Sequence, residues 1–526
     1  MIPSTPPDAT ATSPDKSRVA RDSAIVGAAT MLSRLLGFAR DVLIARLLGA
    51  GPVADAFLAA LRLPNLVRRV LGEGGLNSPF VPLYLAIKGE RGEADARRFA
   101  GEAAAQLAVL LIVLVGLGEI FAPWLVLALA GGFAGEPATL ALAASYTRLM
   151  LPFLLLTTLA AMLAALLNAE RRFVVAALAP ALMNAILLAV LLLQLWQGSE
   201  AAFAAYVQSI AVSLTGLAHL AMILLALRKT GLSWPRLRWS RDMTRLVRTG
   251  GATLLAASAA QLVLLVATQI ASTQSGAVAA LYYADRVFQL PLGFVGVAMG
   301  TVVLSDMAAR AGDGDAMLGQ ALGLGLALAL PAATALVALA GPIVSVLFEH
   351  GRFGPADAAR TAAALAIFAC GLPFAVVAKV FGQVYFARQK PRIPLVAGAL
   401  AVLVAVHAGL LLVRSGEAAA MAALSATLGF AAQAVLLAGA LLRDRLWRPS
   451  LASLRPVLAS VLASAIMLGV LVPMHAWLSA SLAAGQPIAW RIAALGALCG
   501  AGLLSYGAAG WWLGAIGANH LRNRRG

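Results

Sequence analysis

Long runs of Ala, Leu, Val and Ile dominate the chain, and the period-two alternation of a half-buried strand is absent. About twenty such residues span a bilayer as a helix. Fourteen apolar segments stand out: 24–49, 54–87, 98–130, 138–168, 173–196, 201–228, 244–274, 276–310, 316–348, 356–387, 393–413, 417–442, 455–479 and 488–515. In hydrocarbon every backbone polar group must be satisfied internally, and a helix does this within one segment. The expected fold class is an all-α polytopic membrane protein with fourteen transmembrane helices. The second segment is interrupted at Leu63-Pro64 and near Gly72–Gly75, because proline removes a backbone donor and kinks a helix.

Composition agrees with this pattern. Of 526 residues, 61% are hydrophobic and 12% charged, with mean hydropathy +0.88, which excludes soluble globular and disordered classes. The net charge of +17 has its home in the loops. With the amino terminus inside, the cytoplasmic tails and loops hold 27 Lys or Arg and the outer loops hold 2, Arg352 and Arg414. That asymmetry predicts both termini in the cytoplasm, and it accounts for the basic balance without nucleic acid as a partner. Residues 1–22 are rich in Pro, Ser, Thr and Asp, with no apolar core before Ile25, so a disordered tail is expected rather than a cleaved signal. Cys370 and Cys499 stand alone in apolar runs, the five histidines are scattered, and the dipeptide Gly-Lys never occurs. Neither a metal site, a cofactor, an ATP-binding loop nor an enzyme is expected.

The remaining 11 of the 40 Lys and Arg lie inside segments: Arg34, Arg40, Arg46, Arg62, Arg68, Arg69, Arg148, Arg286, Arg360, Lys379 and Arg491. The in-segment acids are fewer: Asp41, Asp55, Glu73, Glu102, Glu119 and Asp285. Arg46, Arg360 and Arg491 are expected near helix ends, where a long side chain can snorkel to the interface. For the central set, a charge at a helix centre costs roughly 2.5–3.5 kcal/mol of insertion energy, so such residues face a bundle interior or a watery cavity. A net positive interior implies an anionic substrate group, and guanidinium forks suit a diphosphate. Arg34 and Asp285 each lie nine residues into their segments from opposite sides. At 1.5 Å per residue both are about 14 Å deep, so they are expected to meet. The competing reading is a set of buried ion pairs that only hold helices together.

A faint repeat runs through the chain. Ala54-Asp55-Ala56-Phe57 with Leu63-Pro64 is echoed by Ala284-Asp285-Arg286-Val287-Phe288 with Leu290-Pro291, and Leu151-Pro152-Phe153 by Leu372-Pro373-Phe374, at offsets of 230 and 221. Both pairs lie six segments apart, which predicts two parallel six-helix halves with substrate handled between them. The expected divisions are a tail (1–22), an N-lobe (23–228), a C-lobe (229–442) and a final helix pair with a short cytoplasmic tail (443–526).

Ser33-Arg34-Leu-Leu-Gly37-Phe-Ala-Arg40-Asp41, Ala54-Asp55-Ala-Phe57, Leu63-Pro64-Asn65-Leu66-Val67-Arg68-Arg69, Glu73-Gly74 and Phe80-Val81-Pro82 closely resemble the amino-terminal signature of the MurJ (MviN) lipid II flippases. Tyr282-Tyr283-Ala284-Asp285-Arg286, Asn168 through Phe173, Ala179 through Asn184, and Phe348 through Phe353 resemble further stretches of that family. Gly74-Gly75 departs from it, since many members carry an aromatic after the first Gly. The resemblance implies the fold of the MOP exporter superfamily: two six-helix lobes in a V around a central cationic cavity, plus two helices forming a lipid-tail groove. It implies flipping of undecaprenyl-pyrophosphate-linked peptidoglycan precursor, lipid II, across the bacterial inner membrane, with membrane lipids and the cell wall synthesis machinery as further partners. The substrate-binding residues expected on this basis are Ser33, Arg34, Arg40, Asp41, Asp55, Asn65, Arg68, Arg69, Glu73, Asp285 and Arg286. A carrier of another polyprenyl-linked oligosaccharide and a non-transporting scaffold remain open alternatives.

Overall fold

A computed structural model describes residues 16–68, 77–228, 237–309, 314–388, 390–449 and 451–515. Among the described residues the chain is all helical, with seventeen α-helices and one 3₁₀ turn. In order they are α1 (Lys16–Leu48), α2 (Pro52–Arg68), α3 (Asn77–Arg91), α4 (Glu93–Ile120), α5 (Ala122–Leu129), the 3₁₀ turn Gly131–Gly135, α6 (Pro137–Ala169), α7 (Phe173–Trp196), α8 (Ala201–Leu227) and α9 (Arg241–Ala271). There follow α10 (Ala277–Ala309), α11 (Gly314–Ala338), α12 (Ala340–Phe348), α13 (Pro355–Ala387), α14 (Arg392–Leu412), α15 (Ala418–Arg443), α16 (Leu451–Leu482) and α17 (Ile488–Leu513).

Each of the fourteen apolar segments carries a helix or a helix pair. Ten of the described helices are long and apolar enough to cross a membrane. Those in the first, second, seventh and eighth segments fall outside that set. The first carries Arg34, Arg40, Asp41 and Arg46, and α2 is 17 residues long. Helix α1 starts at Lys16, inside the stretch expected as a tail, and the interruption near Gly72–Gly75 lies outside the described residues. Large side chains such as Leu411, Leu503 and Trp511 point outward, which suits a surface bathed in lipid.

The third and ninth segments are both split, a feature the repeat did not anticipate. Helix α4 gives way to the 8-residue α5 at Phe121 (φ −98°, ψ 20°). Helix α11 gives way to the 9-residue α12 at Leu339 (φ −113°, ψ 15°). Both residues lie near the sparsely populated bridge region, and the cause follows two or three residues later at Pro123 and Pro342. Proline cannot donate to the carbonyl four residues back. The Glu119 carbonyl freed by Pro123 is taken up by Arg148 Nε at 3.1 Å. One cation inside a segment thus repairs a break in a neighbouring helix.

Packing divides the helices into two groups. In one, α6 packs on α8, α2 and α4, while α7 packs on α1 and α8; in the other, α13 packs on α15, α11 and α10, while α14 packs on α15 and α9. The pair α16–α17 packs on itself and leans on α11. Where the groups meet, α10 touches α1 and α2, and α9 touches α3, α4 and α5. A continuous apolar core runs through this junction, from Phe57 and Tyr146 to Tyr283, Phe348 and Phe368.

Candidate substrate and gating site

Helices α1 and α10 run side by side and place their charges in one cluster. Asp41, 2% exposed, is its centre. Its Oδ1 accepts from Arg40 Nε at 3.0 Å and Nη2 at 2.7 Å. Its Oδ2 lies 2.9 Å from Arg286 Nε. Tyr282, one turn before Arg286, donates its hydroxyl to Asp41 Oδ1 at 3.3 Å and accepts from Arg286 Nη2 at 2.6 Å. The Arg286 guanidinium also lies over the Tyr282 ring, 4.5 Å from its centroid. One carboxylate is therefore shared by two guanidinium groups, one from each helix group, and the trio keeps a positive charge.

Asn184 of α7 orders this cluster from behind. It accepts from Arg40 Nη1 at 3.0 Å and donates to the Ser33 carbonyl at 3.0 Å and hydroxyl at 3.3 Å. The close approach needs Gly37, where a Cβ would lie 3.3 Å from Asn184 Nδ2. Arg34, next to Ser33 in the chain, is exposed and has no ion-pair partner among the described residues. It lies against Gly293, where a Cβ would stand 2.8 Å from its Nη1, and Lys379 of α13 is within electrostatic range.

Arg34 and Asp285 do not meet, contrary to the depth argument. Arg34 lies eight residues inward of Asp285 as measured along α10 at Gly293. Counting from the other ends explains the offset. Arg34 is fourteen residues from the end of α1 at Leu48, whereas Asp285 is eight from the start of α10 at Ala277. These are about 21 and 12 Å of helix. Asp285 is buried beside Gln289, whose Nε2 donates to Oδ2 at 2.5 Å, while Oδ1 has no hydrogen-bond partner.

Asp55 lies away from the cluster, at the seam between the helix groups. Its Oδ2 accepts from Gly276 N at 2.5 Å and its Oδ1 from Ala279 N at 2.8 Å. It thus caps the first turn of α10, whose amides have no partner within the helix. Gly276 (φ +80°) leaves no room for a Cβ against the Ala50 carbonyl. Around it, Arg352 N donates to Arg46 O at 3.0 Å and the Tyr283 hydroxyl to Gly49 O at 3.3 Å. Tyr283, Phe348 and Phe353 pack ring to ring, with centroids 5.3–6.1 Å apart. A second clasp joins α9 to the 3₁₀ turn. Gln269 Nε2 donates to Leu127 O at 3.1 Å and Ala128 O at 2.5 Å, and its Oε1 accepts from Gly131 N at 2.6 Å. Ser272 Oγ accepts from Gly132 N at 2.9 Å. This end of the junction is closed.

The opposite end is joined differently. Arg91 at the end of α3 pairs with Asp242 at the start of α9 at 2.8 Å, and both are solvent-accessible. Beside it, Glu170 accepts from Lys88 at 2.7 Å and from the Tyr84 hydroxyl at 2.7 Å.

Of the expected site residues, the structure thus brings together Ser33, Arg40, Asp41 and Arg286, with Arg34 at the rim. Asn65 donates to Leu61 O of its own helix at 3.0 Å. The side chain of Arg68, and Arg69 and Glu73, lie outside the described residues. Tyr282, Asn184 and Gln269 were not among the expected residues. The four-residue spacing of Tyr282 and Arg286 was the available signal for the first. Neutral amides in apolar helices announce themselves less.

A junction closed at one end, with a cationic cluster shared between two helix groups, defines a multi-pass helical transporter. A solved chain described as an inward-facing multidrug resistance MATE family transporter of the MOP superfamily superposes with TM-score 0.62 at 16% identity, over 81% of this chain and 98% of that one. One described as lipid II flippase MurJ, inward closed conformation, superposes with TM-score 0.77 at 23% identity, over 95% of this chain and 99% of that one. These show the fold. The family described as lipid II flippase MurJ matches residues 44–487. A probable lipid II flippase MurJ of Rhizobium meliloti is 36% identical over 95% of both chains. The lipid II flippase MurJ of Burkholderia cenocepacia is 32% identical over 69% of this chain and 72% of its own. The chain belongs to the lipid II flippase MurJ family, a family of transporters of the bacterial inner membrane.

Proposed function

We propose that the chain flips lipid II from the inner to the outer leaflet by alternating access between lobes 23–228 and 229–442, with 443–526 as a further helix pair that grooves the lipid tail. The observation that carries this reading is Asp41 shared by Arg40 and Arg286 across the junction. A diphosphate entering there offers the guanidinium groups a second anion. Ligand that binds one arrangement of the lobes more tightly shifts the population toward it. Arg34, exposed beside Lys379, gives the headgroup a first contact. Loop charge supports cytoplasmic termini and so assigns the closed end to the outer face. The cell wall synthesis machinery is the expected consumer of the product.

Complementation tests the reading. The gene should restore growth and cell shape in a bacterium depleted of its own lipid II flippase. Labelling of single cysteines should place 237–240 and 444–449 inside and 349–354 outside. Failure to complement despite normal membrane insertion defeats the substrate assignment, and outside labelling of 237–240 defeats the orientation.

A further inference from the structure

Arg491 has no part in the charge cluster, yet it is only 3% exposed. It stands in the first turn of α17, four residues after Pro487, and its Nη2 donates to Ser345 Oγ at 2.6 Å and lies 3.6 Å from Glu349 Oε2. Ser345 in turn donates to Glu349. Glu349 is the C-cap of α12. Each charge sits at the unfavourable end of its helix: a cation at an N-terminus, an anion at a C-terminus. Neither stabilises its own helix, so the pair serves the connection between them.

That connection leads straight to the seal. The chain passes from Glu349 into the turn 350–354, where Arg352 N donates to Arg46 O at 3.0 Å and Phe353 is buried against Tyr283. Gly351 (φ +62°) packs where a Cβ would stand 2.5 Å from Arg46 O. The same turn is thus held by α1 on one side and by α17 on the other.

Two features set the pair apart from a static strut. Arg491 Nε is buried without a hydrogen-bond partner, whereas a permanent buried ion pair is expected to satisfy all its donors. An open groove of about 340 Å³ lined by Ser345, Glu349, Pro355, His475 and Ser479 lies alongside, so the end of α12 is not packed tightly against α16 at this point.

We propose that Arg491 is a positioning residue of the transport cycle, coupling the α16–α17 pair to the seal by holding Glu349 and thereby keeping the turn 350–354 seated on α1. This rests on the transporter reading. The arrangement makes displacement of α17 a signal that loosens the closed end.

The test uses the full chain in lipid nanodiscs, with Cys370→Ser and Cys499→Ser and a reporter Ala50→Cys. Ala50 is 8% exposed beneath Gly276. Arg491→Gln should raise the thiol-labelling rate at residue 50 about tenfold, the population shift expected from losing one charge-assisted hydrogen bond. Arg491→Lys should restore most of the protection. Ser345→Ala, which leaves both charges in place, should give a smaller rise and covers the case in which Arg491→Gln fails to fold. A structural strut instead predicts a lower melting temperature with labelling unchanged. Unchanged labelling in Ser345→Ala and in folded Arg491→Gln overturns the proposal. Labelling needs no substrate, so loss of the lipid II assignment would leave this result standing.

Discussion

Asp55 of α2 and Gly276, the residue before α10, are joined by a 2.5 Å hydrogen bond from amide to carboxylate that crosses the two helix groups. With the 2.8 Å bond from Ala279 N it makes one side chain the cap of a helix in the other group. Opening this end therefore exposes two amides as well as a carboxylate.

Asp55→Ala should leave both amides buried and unpaired, at about 1–3 kcal/mol each. The closed arrangement loses that stabilisation and an open one does not. A cysteine at Ala50 should label faster, and complementation should fail. Asp55→Asn keeps one acceptor and should give an intermediate labelling rate. Slow labelling in Asp55→Ala would show that the seam is held elsewhere.

Arg34 and Asp41 separate binding from stability. Arg34→Ala removes an exposed guanidinium without an ion-pair partner among the described residues, so its melting temperature should match the parent while flipping is lost. Asp41→Ala strands Arg40 and Arg286 together, a loss of about 3–5 kcal/mol for a broken buried pair. Its melting temperature should fall clearly. Arg34→Lys should recover only part of the activity, since a point charge lacks the guanidinium fork. Full complementation by Arg34→Ala would remove this residue from the substrate path.

How much of this was legible beforehand differs from feature to feature. Charged residues in apolar runs are conspicuous, so Arg40, Asp41 and Arg286 could be picked out by composition alone. Which charges meet depends on register, and counting from segment edges wrongly set Arg34 beside Asp285. The charged helix α1 extends well beyond its apolar stretch, to Lys16. Not every in-segment cation serves the cavity: Arg148 is spent on Glu119 O, while Arg360 and Arg491, expected near helix ends, lie early in α13 and α17 and are held by Ser275 O and Glu417 and by Ser345 and Glu349. The breaks at Phe121 and Leu339 were signalled by Pro123 and Pro342, which sit near one offset in the two halves. The Gln269 clasp was not legible, because its partners are main-chain atoms that only the fold brings near.

That clasp gives a second handle on the closed end. Gly132 packs so tightly on the Ser272 carbonyl that a Cβ has no room, and the blocking atoms are backbone. Gly132→Ala should therefore spread the 3₁₀ turn from α9 and raise labelling at residue 50. Gln269→Leu should act in the same direction by leaving Gly131 N without its acceptor. If neither variant alters labelling, the clasp does not restrain the end.

At the opposite end, Glu170 carries a pH dependence. Burial works to raise its carboxyl, but hydrogen bonds donated by Lys88 and Tyr84 outweigh this and hold it below its ordinary 4.5. A depressed folded value means the clasp contributes fully above the unfolded value and is lost as pH falls through the folded one. The contribution of Glu170 to melting temperature should stay constant from neutral pH to about pH 5. Below about 4.5 it should drop more steeply in the parent than in Glu170→Gln. Parallel acid profiles would show that Glu170 is not linked to folding.

The seal itself can be locked. Arg46 and Arg352 share a 3.0 Å main-chain hydrogen bond across the groups, which brings their backbones close enough for a short cross-link. Disulfides need Cα atoms about 4.4–6.8 Å apart, and the close packing of Gly351 on Arg46 makes a scan of residues 350–352 against Arg46→Cys worthwhile. A pair near Phe38 and Leu281, which edge counting would have chosen, is out of register, since Arg34 lies beside Gly293. An oxidised Arg46→Cys/Arg352→Cys protein should hold this end shut, stop complementation and recover on reduction. The single variants control for loss of each arginine. If the oxidised double variant still supplies lipid II to the outer leaflet, this seam does not open during transport, and substrate leaves by another route.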